Sequence, residues 1–222
     1  MSNTTVAALQ VASITSSLMV AGGIATMSLF DIPMLQAQPA SRSLPSIRWL
    51  FSRGSHIMPT AAFAAGTGFV SLAFLALPPA AAAAAGGNVL TRILAGTKTR
   101  GYLAAALCNF AIGPVTGLML PTNMALIKKN EGAGGTRSVQ AYKDGARQYK
   151  PGQWSVKDSI AGKGEGNQFK ALSGPQEKTP PGSSAAEDEE VRGLLGKFAK
   201  MNAVRAALCM IGGVVGLCTS LA

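Results

Sequence analysis

Charged residues are scarce in this chain and unevenly placed. Of its 222 residues, 14% are Asp, Glu, Lys or Arg, whereas an average soluble domain has about 25%. Between Pro121 and Met201 lie 13 of the 20 basic and 9 of the 10 acidic residues. The rest of the chain is too poor in charge to form the surface of a soluble enzyme with one core. This scarcity predicts a membrane protein with one long polar loop.

Histidine, cysteine and nucleotide-binding motifs are scarce as well. His56 is the only histidine, which excludes most catalytic metal sites, since these need two or three histidines. Cys108, Cys209 and Cys218 lie in apolar runs without CxxC spacing, so we interpret them as small core residues. The chain has no nucleophile elbow, Walker A loop or dinucleotide fingerprint. Its net charge of +10 favours contact with a membrane surface. We predict no nucleic-acid partner, because no nucleic-acid-binding module is recognisable in the sequence.

Long apolar runs are what the chain has instead. Four of them reach the roughly 20 residues that cross a hydrocarbon core of about 30 Å. They cover about residues 5–30, 57–77, 102–120 and 201–221. We therefore predict an all-α fold, an integral membrane four-helix bundle that forms a single domain over residues 1–222. A cleaved signal peptide is the alternative for the first run, disfavoured because no Lys or Arg precedes it.

The polar segment of about residues 130–186 is predicted to be a disordered or loosely docked loop between the third and fourth spans. It is rich in Gly, Ser, Lys and Pro, which favour disorder. Acidic residues 187–190 then indicate the start of a helix that continues unbroken into the fourth span. Spacings of three and four residues predict one shared face on this helix, formed by Val191, Leu195, Phe198, Asn202 and Arg205.

Four spans place both termini of this multi-pass protein on the same side of the membrane. Nine basic residues flank the first and third loops, against three in the loop on the other side. The excess predicts that the first and third loops are cytoplasmic, and we expect an endomembrane location.

Polar side chains in or beside the apolar spans are the candidate functional residues, because each costs free energy unless it finds a partner. Arg205 either extends to the lipid headgroups or faces the bundle interior, and Asn202, one turn earlier, favours the interior. Asn123 follows Pro121 and either bonds freed carbonyls or contacts a ligand. Asp31 and His56 bracket the first loop. His56 is either structural or a proton acceptor near neutral pH.

Four ordered motifs accompany the spans. They are Gly22-Gly23-Ile24-Ala25 with Ser28-Leu29-Phe30-Asp31-Ile32-Pro33, Arg48-Trp49 with Gly54, Gly113-Pro114-Val115-Thr116 with Met119-Leu120-Pro121-Thr122-Asn123, and Lys197-Phe198 with Asn202-Ala203-Val204-Arg205. Together they resemble the anthrone oxygenase family, small four-span membrane proteins of fungal aromatic-polyketide pathways. The resemblance covers roughly two thirds of the chain. Phe198 stands where the family often has Trp.

The resemblance implies oxidation of an anthrone to an anthraquinone in secondary metabolism, with molecular oxygen as co-substrate and no metal, flavin or other cofactor. The partners would be a hydrophobic aromatic substrate and the lipid bilayer, and an oligomer is compatible with the sequence. We hypothesise that His56 is the general base, oriented by Asp31. Arg205 and Asn202 would stabilise the anthranolate oxygen, and Asn123 would donate a second hydrogen bond.

Two other function classes stay open at this point. One is a hydroxylating or non-oxidative tailoring enzyme on the same fold, since fold alone does not determine function. The other is a non-enzymatic four-span scaffold, partner subunit or small-molecule carrier.

Overall fold

The structure, a computed structural model, describes residues 2–79, 88–145 and 173–222, without the side chains of residues 55, 56, 144 and 145. Within these ranges every regular element is a helix. The helices are α1 (Asn3–Thr26), a π-helical turn (Met27–Asp31), α2 (Ile32–Gln36), α3 (Ala40–Leu75), α4 (Val89–Ala95), α5 (Thr97–Phe110), α6 (Ile112–Gly132), α7 (Val139–Gly145) and α8 (Ala185–Leu221). The alanine run that we interpreted as a helix end or linker, at 80–85, lies outside the described residues.

Four helical segments are long and apolar enough to cross a membrane, as the apolar runs predicted. They are Asn3–Gln36, Ala40–Leu75, Thr97–Gly132 and Ala185–Leu221, each of 34 to 37 residues. Large apolar side chains such as Met19, Leu107 and Leu118 are exposed along them, as expected of a surface in contact with lipid. These findings indicate an integral membrane protein.

The prediction of a long first loop, bracketed by Asp31 and His56, was wrong. Only residues 37–39 separate α2 from α3, so most of the expected loop is helical. Pro33 is accommodated in the first turn of α2, a position that proline tolerates. Pro45 lies inside α3 and cannot donate to the carbonyl of Ser41. The backbone N–H of Thr179 donates to that carbonyl instead, at 2.8 Å, so the proline leaves no unsatisfied group there.

The prediction that Pro121 ends the third span was also wrong. Helix α6 continues through Pro121 to Gly132, and membrane helices tolerate such a proline because neighbouring groups satisfy the freed backbone. The helix ends where Gly134 takes a φ of 74°. The N–H groups of Gly134 and Gly135 donate to the carbonyls of Glu131 and Asn130, which is a Schellman motif. Thr122 therefore lies inside a helix and caps nothing.

The chain divides into two compact units. The first comprises residues Met1–Ala25, Met58–Val115 and Ala203–Ala222, and the second comprises Thr26–Ile57 and Thr116–Asn202. The first has an apolar core in two clusters, one around Ile24, Ala62, Ile112 and Cys209 and one around Phe69, Leu72, Tyr102 and Ala105.

The flanks of the polar loop are packed in the second unit, so the prediction of a disordered or loosely docked loop is not confirmed there. We call residues 173–184 the strap. The carbonyl of Ser173 accepts a hydrogen bond from the Trp49 indole at 3.0 Å, and Gln176 accepts one from the N–H of Thr136 at 2.9 Å. Thr136, Gln176 and Thr179 are buried. Side-chain to backbone bonds of this kind, which no composition rule anticipates, order the strap. Residues 146–172 lie outside the described residues.

Candidate functional site

The inward face of α8 carries two of the predicted site residues. All five residues of the predicted face are buried, which confirms the helical periodicity. The exposed fraction is 1% for Asn202 and 9% for Arg205. Arg205 is thus buried against protein rather than extended from the surface, which agrees with the interior placement. Because a charged or amide side chain is costly in an apolar span, both residues mark a place with a specific polar role.

Met27 joins three elements of the second unit. Asn202 donates a hydrogen bond from Nδ2 to the Met27 sulfur at 3.5 Å, a weak acceptor. The methyl group of Met27 also lies 3.6 Å from the position that a Cβ on Gly54 would occupy. The π-helical turn, the middle of α3 and the α8 face therefore meet at this methionine.

The elements that carry Asp31 and His56 meet at the Met27 contact. Asp31 ends the π-helical turn that begins at Met27 and is half-buried. His56 belongs to α3, two residues beyond Gly54, but its side chain lies outside the described residues. Single π-helical turns occur frequently at functional sites. The structure thus brings together the backbone segments of Asp31, His56 and Asn202 within the second unit, whereas Arg205 belongs to the first unit.

Asn123 lies on the buried face of α6. It follows the buried Met119 by one turn and precedes the buried Leu126 and Ile127 by three and four residues. Its side-chain oxygen is buried and has no hydrogen-bond partner in the part of the chain that the structure describes. The alternative, in which the amide nitrogen of Asn123 donates to freed carbonyls, stays a prediction, because the amide nitrogen and not this oxygen is the donor. A buried acceptor without a donor costs about 1–3 kcal/mol, so this oxygen is a candidate ligand contact.

A cavity of about 290 Å³ lies elsewhere in the second unit. It is bordered by the first turn of α3, the end of α6, the strap and the start of α8, and its polar lining includes Ser41, Lys129, Thr179, Ser183 and Glu187. Asp31, Asn123, Asn202 and Arg205 do not line it. Among the described residues, no group of three or more His, Cys, Asp or Glu side chains could hold a metal ion.

Two polar contacts, those of Ser17 and Trp49, were not predicted from the sequence. The single hydroxyl proton of Ser17 is shared between Asn109 Oδ1 at 2.9 Å and the Cys209 carbonyl at 2.8 Å, which joins α1, α5 and α8 inside the first unit. This confirms an interhelical hydrogen bond for Asn109, but Ser17 was not singled out because serine is common in apolar helices. Trp49 donates from its indole N–H to the Ser173 carbonyl and lies under the Arg53 guanidinium, 4.7 Å from the ring centroid.

Comparison with known proteins was made at three levels. No protein-family model, curated protein or solved structure matches the chain. The candidate site is therefore identified from the residues and geometry of this chain alone.

Proposed function

We propose that the chain is a membrane oxygenase that converts a hydroxylated anthrone-type aromatic into an anthraquinone with O₂, without a metal or organic cofactor. The observation that carries the proposal is the pair formed by Asn202 and Arg205, which lie one turn apart on the buried face of a membrane helix. An amide and a cation on this face suit an oxygen atom on which negative charge develops. The resemblance of the span motifs to the anthrone oxygenase family names the substrate class.

The buried oxygen of Asn123 supports a substrate that carries a hydroxyl group. Within the described residues this oxygen has no hydrogen-bond partner, and a phenolic O–H would supply a donor. The earlier hypothesis gave Asn123 a donor role, whereas the oxygen suits an acceptor role. Rotation of the amide would exchange the two atoms, and either orientation presents a polar group to the substrate.

The proposed reaction balances without an added reductant. A base, His56 in our hypothesis, removes one C10 proton from the anthrone, and the electron pair delocalises onto the ring-ketone oxygen as an anthranolate. The anion passes its electrons to O₂, a C10–O bond forms, and the peroxide takes up a proton. Loss of the second C10 proton then breaks the O–O bond and releases water. One anthrone and one O₂ give one anthraquinone and one water, in which carbon is oxidised and oxygen is reduced.

Replacement of His56 by Ala tests the proposed base. We expect anthrone-dependent O₂ uptake by membranes containing the variant to fall by about 100-fold or more, the usual contribution of a general base. Thr67→Ala is the matched control, because Thr67 is an exposed residue of the same helix whose hydroxyl donates to the Phe63 carbonyl one turn earlier. Membranes without the protein correct for spontaneous oxidation.

Four outcomes would contradict the proposal in different ways. Activity of His56→Ala within about twofold of wild type would remove His56 from the mechanism. Product formation without O₂ uptake would indicate a non-oxidative tailoring enzyme, and a hydroxylated anthrone as product would indicate a hydroxylase. No turnover by the wild-type chain would favour the scaffold or carrier function.

We also propose an orientation and a location. The excess of basic residues beside the first connection and the polar segment places both in the cytoplasm, with both chain termini on the opposite side. An endomembrane would give the enzyme access to an apolar substrate that partitions into lipid.

A further inference from the structure

The corner between α3 and α5 combines exposed apolar residues with positive charge. We call residues 88–100 the α4 corner. Its helix α4 has no buried residue, and Val89, Leu90 and Leu94 are exposed by 55%, 61% and 58%. At about 100° per residue, these three and Ile93 fall within an arc of about 140°. Thr91 and Arg92 lie on the other side, so α4 is amphipathic.

Hydrogen bonds hold the α4 corner at the level where two membrane helices end. Arg92 donates from Nε to the carbonyl of Pro78 at 2.8 Å, just beyond the end of α3. Thr99 donates to the carbonyl of Ala76 at 2.9 Å, which ties the first turn of α5 to the same place. Asn88 caps α4 by accepting from the N–H of Thr91 at 3.0 Å. Because α3 and α5 belong to candidate spans, α4 lies at the boundary between lipid tails and headgroups.

The positive charge at the α4 corner has no acidic counterpart in its own unit. The residues of the first unit include no Asp or Glu, and the ion pairs Lys129–Glu190 and Arg192–Glu189 lie away from this corner. Lys98 and Arg100 are exposed in the first turn of α5, where a cation is unfavourable for the helix itself. Helix stability therefore does not explain their position.

We infer that the α4 corner binds the headgroup of an anionic phospholipid. The exposed apolar side of α4 would lie among the acyl chains, as interfacial amphipathic helices do. Arg92, Lys98 and Arg100 are close in sequence at the same boundary and would face the phosphate layer, where basic residues bind anionic lipids. The occupant is a lipid and not free phosphate, because a lipid supplies acyl chains for the exposed apolar side of α4 and an anionic headgroup for the cations. The inference is independent of the proposed oxygenase activity and of the proposed orientation, under which this lipid would belong to the leaflet opposite the cytoplasm.

The test compares lipid binding by the full-length chain and a variant. The purified protein in detergent is titrated with phosphatidylglycerol or phosphatidylcholine, and bound lipids are counted by native mass spectrometry. We expect wild type to bind phosphatidylglycerol in preference to phosphatidylcholine. In the Lys98→Gln/Arg100→Gln variant, the ratio of the two affinities should fall roughly tenfold. The matched control is Lys197→Gln/Lys200→Gln, which removes two exposed charges from α8 in the second unit.

Further arms make each result decisive. Lys98→Arg/Arg100→Lys keeps the charge and should keep the preference. Inorganic phosphate at millimolar concentration is added as a competitor. If it displaces phosphatidylglycerol while a neutral salt at the same ionic strength does not, the corner is an anion site and the lipid assignment is overturned. Equal losses in the test and control variants, or no preference in wild type, would overturn the inference. If the Gln variant aggregates, lipid binding by wild type is measured at increasing salt concentration instead. The preference for phosphatidylglycerol must weaken as ionic strength rises, and an unchanged preference would overturn the inference.

Discussion

At the scale of single residues, close packing around Asn109 depends on Gly212. A Cβ at position 212 would lie 2.5 Å from Asn109 Nδ2 and 2.9 Å from the backbone oxygen of Ala105. A backbone atom cannot move aside at low cost, so the glycine allows α8 to approach α5. The approach keeps Asn109 buried and bonded to Ser17 and to the Ala105 carbonyl.

Gly212→Ala is expected to lower the free energy of unfolding by about 1–3 kcal/mol, the usual cost of overpacking. The measurement is the thermal unfolding midpoint in detergent. Gly22→Ala is the control, since nothing lies within 4 Å of the Cβ that it would add. Alanine favours a helix by about 1 kcal/mol over glycine, so this control should be neutral or stabilising. A destabilised Gly22→Ala with an unaffected Gly212→Ala would contradict the packing.

At the scale of elements, α8 begins with a capping box. Glu187 N–H donates to Ser184 Oγ at 3.3 Å, and Ser184 N–H donates to a Glu187 carboxylate oxygen at 2.8 Å. Two backbone donors at the helix start are thereby satisfied. The neighbouring Asp188 accepts from the N–H of Ala40 at 2.6 Å, so the start of α8 also caps α3.

Ser184→Ala should destabilise the folded chain by about 1 kcal/mol, the typical value of an N-cap. Hydrogen exchange of amides in residues 185–190, with the thermal midpoint, measures the effect. Glu189→Ala serves for comparison, because Glu189 makes an exposed ion pair with Arg192 that should contribute little. Similar exchange in Ser184→Ala and wild type would show that the capping box does not stabilise this end.

At the scale of the whole molecule, the exposed apolar surface distinguishes a membrane protein from a water-soluble helical protein. Met19 is 70% exposed near the middle of the first span. In water, an arginine at such an exposed site would be harmless. In a membrane, a charge near the centre of a span costs about 2.5–3.5 kcal/mol on insertion scales.

Met19→Arg should therefore reduce the fraction of chain that resists alkaline extraction from membranes. Tyr142→Arg is the control, since Tyr142 is an exposed residue of α7, outside the four spans. Extraction resistance that is identical in both variants and wild type would contradict the placement of α1 in lipid.

Much of the fold, and less of the site, could be predicted from residue patterns. The four spans and the buried face of α8 follow from apolar runs and helical spacing, which are local properties. The continuation of α6 through Pro121 and the helical start of α3 could not be predicted, because prolines end helices unless distant groups satisfy the freed carbonyls. For Ser41 that group is Thr179, more than a hundred residues away.

By itself, the sequence determined that the chain is helical and membrane-spanning, since burial in lipid requires long apolar helices with internally bonded backbones. Only the tertiary structure decided which polar groups are satisfied. It buries Arg205, bonds Ser17 to Asn109, leaves the Asn123 oxygen without a donor and packs the strap on α3. These outcomes depend on atoms from segments far apart in the chain. Scarcity of charge predicted a membrane protein, and long-range hydrogen bonding determined which of its polar groups have partners.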